Sequence, residues 1–213
     1  MSPTPRRLAW IAIFALSSSV LAISIATSTP AAALETYVVD TADDLSSLDD
    51  CTGALHDCSL RGAIALANAN PGADAIEFDI PSGECPGGVC RITLVAGGFY
   101  LNEAVAIDAT TQPQHGSSSA NVCATATEAS RPRVEIVIDA GIDNSVFYIN
   151  HAAGTTSIRG FALGTSIPSA GAGVTVMNGS GHQISCNHFN LNAAGTAVPG
   201  VGDFTSGVSI LSL

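Results

Sequence analysis

The sequence contains no lysine, and its seven arginines are outnumbered by eighteen aspartates and glutamates, which gives a formal net charge of −11. A chain with this excess of negative charge repels phosphate groups, so we do not expect nucleic acids or anionic membrane surfaces as partners. Charged residues make up only 12% of the chain and hydrophobic residues 46%. This composition excludes an intrinsically disordered chain and, with 21 glycines, predicts a folded domain rich in turns.

The N-terminus has the pattern of a cleavable signal peptide. Arg6 and Arg7 precede an apolar run, and Ala31 and Ala33 provide the small-residue pattern of a cleavage site. We therefore predict that residues 1–33 are removed on export. The mature chain then keeps five arginines and all eighteen acidic residues, for a formal net charge of −13.

An uncleaved membrane anchor is the alternative interpretation of this segment. The stretch from Leu8 to Ala26 would barely reach the roughly 20 residues needed to span a bilayer, and serines interrupt it. Arg6 and Arg7 also match a twin-arginine signal, but without the rest of that motif. We predict an exported protein of the periplasm, the cell surface or the medium, with no membrane span after cleavage.

An even number of cysteines in an exported chain predicts disulfides. Six cysteines allow 15 connectivities, and the local spacings favour Cys51 with Cys58 and Cys85 with Cys90, which leaves Cys123 for Cys186. Zinc is the alternative ligand of these thiols, but no second cysteine pair stands at ligand spacing. No metal and no cofactor is therefore predicted.

One helix is predicted near the start of the mature chain. A short strand at residues 36–39 precedes an acidic loop, residues 40–57. Ser59 can cap a helix on which apolar residues recur with helical spacing, and Asn70 begins the turn that stops it. The acidic loop could hold Ca²⁺, but its spacing does not match an EF-hand, so we interpret it as a solvated face.

From Ala75 onward the helical period gives way to short runs rich in valine and isoleucine, separated by Gly, Asn, Ser and Pro. This pattern is typical of strands. We predict strands near residues 76–80, 91–95, 104–107, 134–138, 146–149, 156–163, 173–176, 183–189 and 207–211.

Two of these strands repeat at nearly one period. Residues 157–163 align with residues 183–189 at an offset of 26, and residues 147–149 align with residues 174–176 at an offset of 27. A common period predicts that each turn of the chain lays its strands beside those of the turn before. The repeat therefore favours a coiled parallel solenoid over an antiparallel sandwich.

The segment around the helix resembles a known motif. Cys58-Ser59-Leu60-Arg61-Gly62-Ala63-Ile64, with Cys51 before it and residues 67–76 after it, is similar to the CSLREA motif of bacterial secreted and surface proteins. Three later segments are similar to those that follow the motif in such proteins, namely residues 107–113, 137–141 and 158–161. The match covers roughly residues 36–190.

The resemblance implies a fold and a location, since proteins with this motif are mostly extracellular or surface proteins without a defined reaction. The implied fold is an all-β right-handed parallel β-helix of the pectin-lyase type, with an N-terminal amphipathic helix that caps the coils. Gly62 stands where the motif has glutamate. We expect a weaker cap there, because a capping carboxylate is lost and glycine inside a helix costs about 1 kcal/mol relative to alanine.

The predicted organisation has a signal peptide at 1–33, an N-terminal cap at 34–74 and coils at 75–213. A long loop at about 114–133, rich in Ser, Ala and Thr, is the expected place for partner contact. Residues 207–211 look like the start of another coil. We therefore expect a C-terminally incomplete β-helix, either part of a longer surface protein or self-associated end to end through that edge.

Two aspartates are the candidate catalytic residues. Asp108 and Asp139 each end a predicted strand in an Ile-Asp-Ala setting, and on adjacent coils they could stack and share a proton or a metal. Polysaccharide hydrolysis needs such paired carboxylates. The alternative is that each aspartate bonds its own turn. The absence of a second nearby carboxylate and of any lysine favours the alternative.

Other polar residues give no better site. No partner for a general base is identifiable near any of the candidate histidines, which are His115, His151, His182 and His188. Asn187 is interpreted as bonding backbone groups at a bend, and Arg159 as a surface residue. We therefore predict a non-enzymatic exported protein for adhesion, binding or scaffolding, with carbohydrate or another surface protein as its partner. The alternative is a polysaccharide lyase or glycoside hydrolase.

Overall fold

The structure, a computed structural model, describes residues 33–113, 131–139, 145–166, 170–196 and 203–211. The predicted signal peptide up to residue 32, most of the predicted loop at 114–133, His115 and Cys123 lie outside the described residues. Helical segments are α1 (Leu60–Ala69) and three 3-10 turns, at Ser82–Glu84, Pro86–Gly88 and Ala109–Thr111. The strands are β1 (Thr36–Val39), β2 (Asp74–Phe78), β3 (Cys90–Leu94), β4 (Phe99–Leu101), β5 (Val105–Asp108), β6 (Val134–Ile138), β7 (Phe147–Ile149), β8 (Ser157–Arg159), β9 (Phe161–Thr165), β10 (Ala170–Val176), β11 (Gln183–Ser185), β12 (His188–Phe189) and β13 (Phe204–Ile210).

The strands form three parallel sheets. Sheet 1 has the order β1-β2-β5-β8-β11, sheet 2 the order β3-β6-β9-β12, and sheet 3 the order β13-β10-β7-β4. Strand β1, which the sequence placed in a separate N-terminal cap, pairs with β2 and so belongs to sheet 1.

The predicted fold class, an all-β right-handed parallel β-helix, is wrong. The strands form three separate all-parallel sheets of five, four and four strands, and helical segments contribute as well, so the fold is mixed α/β in character. The two pairings that the repeats predicted are confirmed, because β8 pairs with β11 and β7 with β10 in the expected registers. A repeat identifies which strands pair, but it does not show where the backbone leaves a ladder. Gly160, at φ +87°, separates β8 from β9 and divides one predicted strand between two sheets.

The core lies between the sheets and is built from rows of apolar side chains in register. In sheet 1, Ile76, Ile107 and Ile158 are neighbours on successive strands and are fully buried. Phenylalanines join the sheets: Phe161 of sheet 2 lies 5.5 Å from Phe78 of sheet 1 and 5.6 Å from Phe147 of sheet 3, between ring centroids. Burying such side chains provides the main stabilising free energy.

Helix α1 packs against β1, β2 and β4 with the boundaries that the sequence predicts. The Ser59 side chain accepts a hydrogen bond from the Gly62 backbone N–H at 2.9 Å, and the helix ends at Asn70. Gly62 is buried against the acidic loop, where an added Cβ would lie 2.1 Å from the Leu48 carbonyl oxygen. None of the described helices is long and apolar enough to cross a membrane.

Two predicted disulfides are confirmed, Cys51–Cys58 and Cys85–Cys90. Cys186 is also disulfide-bonded, and its predicted partner, Cys123, lies outside the described residues. The His56 Nδ1 atom, within the first loop, lies 2.7 Å from a carboxylate oxygen of Glu84, just before the second. The two disulfide loops are therefore held next to each other.

Sheet 3 presents two tyrosines on its outer face. The rings of Tyr100 and Tyr148, neighbours on β4 and β7, are stacked with centroids 4.6 Å apart and planes 9° from parallel. At the other edge of this sheet, Ile210 and Leu211 are exposed by 75% and 51%. End-to-end association through that edge stays a prediction.

Candidate functional site

The outer face of sheet 2 carries a buried carboxylate. On β6, Val134, Ile136 and Ile138 point into the core, so Glu135 points to the opposite side. Only 3% of its side chain is nonetheless exposed. An ionised side chain is rarely buried to this degree without a partner.

The partner of Glu135 is Arg91, which occupies the same register position on the neighbouring strand β3. Their side chains are joined by a 3.2 Å bond from Arg91 Nη2 to Glu135 Oε1. The Arg91 side chain is 54% exposed, so one end of the pair is accessible from solvent. A guanidinium has five N–H donors, and one bond to Glu135 leaves donors that a ligand can reach.

Two cavities meet at Arg91. The first, of about 370 Å³, is lined by Arg91 and Glu135, by Pro86 and Val89 beside the second disulfide, and by the loop Asn192 to Ala194 after β12. The loop thus shares this cavity with the buried Glu135 side chain. We call this cavity and the Arg91–Glu135 pair the β3–β6 groove.

The second cavity, of about 410 Å³, is also lined by Arg91 and, in addition, by part of the acidic loop. Two of the carboxylates that line it, Asp44 and Glu84, are already hydrogen-bonded within the protein. Asp44, whose side chain is fully buried, receives two bonds from Arg61, at 2.7 and 2.8 Å, and a third from the Val95 N–H. Glu84 accepts bonds from the Thr41 hydroxyl and the Ala42 N–H.

The interpretation of the acidic loop as a solvated face is therefore wrong for its buried members. Asp40 and Asp44 are 9% and 5% exposed. Asp40 accepts a bond at 2.9 Å from the Cys58 N–H. Asp40 therefore joins the two ends of the loop, and Asp44 joins the loop to Arg61 of the helix and to Val95 after β3, because a buried carboxylate must be paired or hydrogen-bonded.

His188 lies at the end of the same outward-facing row as Glu135. The register places Arg91, Glu135, Ala162 and His188 on four successive strands. Burial lowers the pKa of His188, a hydrogen bond to the Asn192 backbone opposes this, and the positive charge of Arg131 lowers the pKa further. Its Nδ1 atom is buried without a hydrogen-bond partner.

The structure does not bring Asp108 and Asp139 together. Asp108 ends β5 in sheet 1 and Asp139 follows β6 in sheet 2. Asp108 pairs with Arg159, whose Nη2 atom lies 2.8 Å from Asp108 Oδ2. The Oδ1 atom of Asp108 accepts a hydrogen bond from the Thr110 N–H at 3.0 Å. Asp139 accepts a 2.8 Å bond from the Ser166 hydroxyl. The two carboxylates therefore do not form a stacked pair. Asp108 bonds its own turn through the Thr110 N–H, as the favoured alternative expects, and Asp139 bonds Ser166 instead.

The histidines His151 and His182 are held by their backbone surroundings. His151 donates from Nδ1 to the Ala153 carbonyl at 2.8 Å, and its Nε2 atom lies 2.7 Å from the Thr156 hydroxyl. His182 accepts the Thr156 N–H at 3.1 Å and donates to the Asn178 carbonyl at 3.0 Å. Both rings fix the turns that precede β8 and β11.

The structural role that the sequence predicts for Asn187 is confirmed. Its side-chain oxygen accepts the Phe161 N–H at 3.0 Å, and its side-chain nitrogen donates to the Ile158 carbonyl at 2.8 Å. These are the backbone groups that flank the bend at Gly160, where the chain leaves sheet 1 for sheet 2.

Sequence reasoning missed Glu135 and Arg91. The available signal was that Glu135 stands alone among four β-branched residues in Val134–Ile138, and that Arg91 precedes a buried isoleucine in the same alternation. Among the described residues, no group of three or more His, Cys, Asp or Glu side chains could hold a metal ion. Comparisons with family models, curated proteins and solved structures found no match to the chain.

Proposed function

We propose that the protein is an exported, non-enzymatic binding protein whose ligand occupies the β3–β6 groove. The observation that carries this proposal is the Arg91–Glu135 pair, which lines an open cavity although Glu135 is almost completely buried. Burying a carboxylate is costly, and the half-exposed Arg91 guanidinium beside it keeps N–H donors for a polar ligand.

Export is supported by the cysteines. The disulfides at Cys51–Cys58 and Cys85–Cys90 are compatible with an extracellular or periplasmic protein, since such bonds form and persist in oxidising compartments. The resemblance to CSLREA-motif proteins implies the same location. The second disulfide closes the turn that lines the groove, which favours a preformed binding surface over a flexible one.

The chemistry of the groove favours a neutral polyhydroxylated ligand, and we propose a carbohydrate. Neighbouring sugar hydroxyls both donate and accept hydrogen bonds, so they match the Glu135 acceptor beside the Arg91 donors and the Asn192 side chain. Pro86, Val89 and Ala194 offer apolar surface for the sugar ring. The net charge of −13 for the mature chain disfavours anionic ligands by long-range repulsion.

The experiment is a screen of the exported chain against neutral and acidic glycans, scored for both binding and chain shortening. We expect binding of a neutral glycan without cleavage, and a loss of about tenfold or more in affinity in Glu135→Gln and in Arg91→Gln, as for charged hydrogen bonds to ligands. Glu77→Gln, which removes an exposed carboxylate on β2, is the matched control and should bind as the parent does. Shortening of any glycan would instead establish a polysaccharide-active enzyme and overturn the proposal.

A further inference from the structure

Asp74, at the start of β2, is a buried carboxylate with one unsatisfied oxygen. The residue is 1% exposed. Its Oδ1 atom accepts bonds from the Glu35 backbone N–H at 3.0 Å and from the Asn70 side chain at 2.8 Å. Its Oδ2 atom is buried without a hydrogen-bond partner. An oxygen of this kind costs stability unless a donor, above all a cation, reaches it.

The predicted signal-peptide cleavage site lies directly beside this carboxylate. The Asn70 side chain that binds Asp74 also donates to the Ala33 carbonyl at 3.3 Å. The Leu34 nitrogen is the other atom of that peptide bond, and it stands three covalent bonds before the Glu35 nitrogen that donates to Asp74. The Ala75 N–H bonds the Glu35 carbonyl at 2.8 Å, which holds this stretch of chain against β2.

We propose that cleavage after Ala33 creates an ion pair, in which the new α-ammonium of Leu34 binds the unsatisfied oxygen of Asp74. Hydrolysis adds the hydroxyl of water to the Ala33 carbonyl carbon and a hydrogen to the Leu34 nitrogen, which takes a further proton at neutral pH. Before cleavage this nitrogen is an uncharged amide. The mature fold is therefore stabilised by a charge that the precursor does not have.

The surroundings of the new ammonium are negative. Besides Asp74, Glu35 carries a carboxylate on the residue that follows Leu34. The phenol of Tyr37 senses both negative charges. Burial raises the pKa of Tyr37, and the negative charges of Asp74 and Glu35 raise it further. No arginine or histidine is in contact with Asp74 in the part of the chain that the structure describes. The ammonium thus replaces a missing positive partner.

The absence of lysine makes a direct test possible. An amine-acetylating reagent modifies only the α-amine of the mature chain, because the sequence contains no lysine. Folding equilibrium constants are measured by denaturant unfolding for the chain that begins at Leu34, before and after acetylation, in the parent and in Asp74→Asn. We expect acetylation to lower the constant about tenfold or more in the parent, as when one partner of a buried ion pair is removed. In Asp74→Asn the loss should be less than about threefold.

A second readout does not depend on how well Asp74→Asn folds. An ammonium that is held in an ion pair is protected from acylation, so at neutral pH the folded parent should react more slowly than the same chain in denaturant. Glu77→Gln, on the same strand, should behave as the parent does in both measurements. Equal acetylation losses in parent and Asp74→Asn, or equal acylation rates in the folded and unfolded parent, would overturn the ion pair.

This inference rests on the export and cleavage in the proposed function, and N-terminal sequencing of the exported chain separates the two. A mature start at any residue other than Leu34 overturns both the predicted cleavage and the ion pair. A start at Leu34 without energetic coupling to Asp74 overturns the ion pair alone and leaves export intact.

Discussion

At the scale of single residues, Gly62 shows why an apparent defect in a motif can be a packing requirement. The sequence suggested that glycine at this position weakens the helix. The structure shows that the acidic loop passes so close to the helix that an added Cβ would lie 2.1 Å from the Leu48 carbonyl oxygen and 2.8 Å from the Asp49 Cα. Both neighbours are backbone atoms, so rotation of a side chain cannot relieve the contact.

Gly62→Ala should therefore destabilise the protein although alanine favours helices. We expect a loss of about 2 kcal/mol or more in the free energy of unfolding, from overpacking against backbone. Urea unfolding measures it. The control is Ala65→Gly at an exposed position of α1, which reports helix propensity alone and should cost about 1 kcal/mol. A Gly62→Ala protein as stable as the parent would show that the loop yields without cost.

Asp108 and Arg159 predict a pH dependence. Burial alone would raise the pKa of Asp108, but hydrogen bonds from Arg159 and Thr110 outweigh it, and the pKa is lowered. A carboxyl with a lower pKa in the folded state stabilises the protein above its unfolded pKa, about 3.9 for aspartate, and this contribution is lost as the pH falls through the folded value.

The free energy of unfolding should therefore fall less steeply below about pH 4 in Asp108→Asn than in the parent. Arg159→Gln should flatten the profile in the same way, and the double variant should add little to either single change. Denaturant unfolding at a series of pH values measures the slopes. Parallel profiles for parent and variants would refute a role for the pair in acid stability.

At the scale of elements, the sequence predicts those features of the helix and strands that depend on neighbouring residues in the chain. The boundaries of α1 follow from Ser59 and Asn70, and the paired repeats identified strands that are neighbours in space. Strand β4 was missed because three residues after Gly97-Gly98 are too few to show an alternation. The groove was missed because an outward-facing glutamate such as Glu135 is normally solvated, and because Asn192 to Ala194, which line the same cavity, come more than fifty residues later.

Removing the first disulfide should destabilise the protein mainly around the start of α1. Removing the Cys51–Cys58 bond with a double alanine replacement should lower the free energy of unfolding by about 2.5 kcal/mol in the loop-entropy model. Amide exchange should increase first around residues 48–62, because the Ser59 N–H bonds the Leu48 carbonyl across this loop. Leu55→Ala, an exposed change in the same loop, should affect neither quantity. Unchanged exchange in the double variant would contradict the local bracing.

At the scale of the whole molecule, charge should govern which ligands approach the groove. A chain that begins at the predicted Leu34 has no lysine and a net charge of −13, so it should repel anions until salt screens the repulsion, over about 10 Å at 0.1 M ionic strength. For a neutral and an acidic glycan of equal size, we expect the acidic glycan to bind more weakly. The difference in affinity between the two should become smaller as the salt concentration rises from about 0.02 to 0.5 M. Titration calorimetry measures both, and a salt-independent difference would contradict this.

The stacked tyrosines of sheet 3 also affect the near-ultraviolet spectroscopy of the protein. Trp10 is the only tryptophan in the sequence and lies in the predicted signal peptide, so a chain that begins at Leu34 has three tyrosines as its principal near-ultraviolet chromophores. Two of the three are stacked with their centroids 4.6 Å apart. Their coupled transitions should dominate the near-ultraviolet circular dichroism of the mature chain, which makes the signal an internal gauge of whether β4 and β7 remain paired.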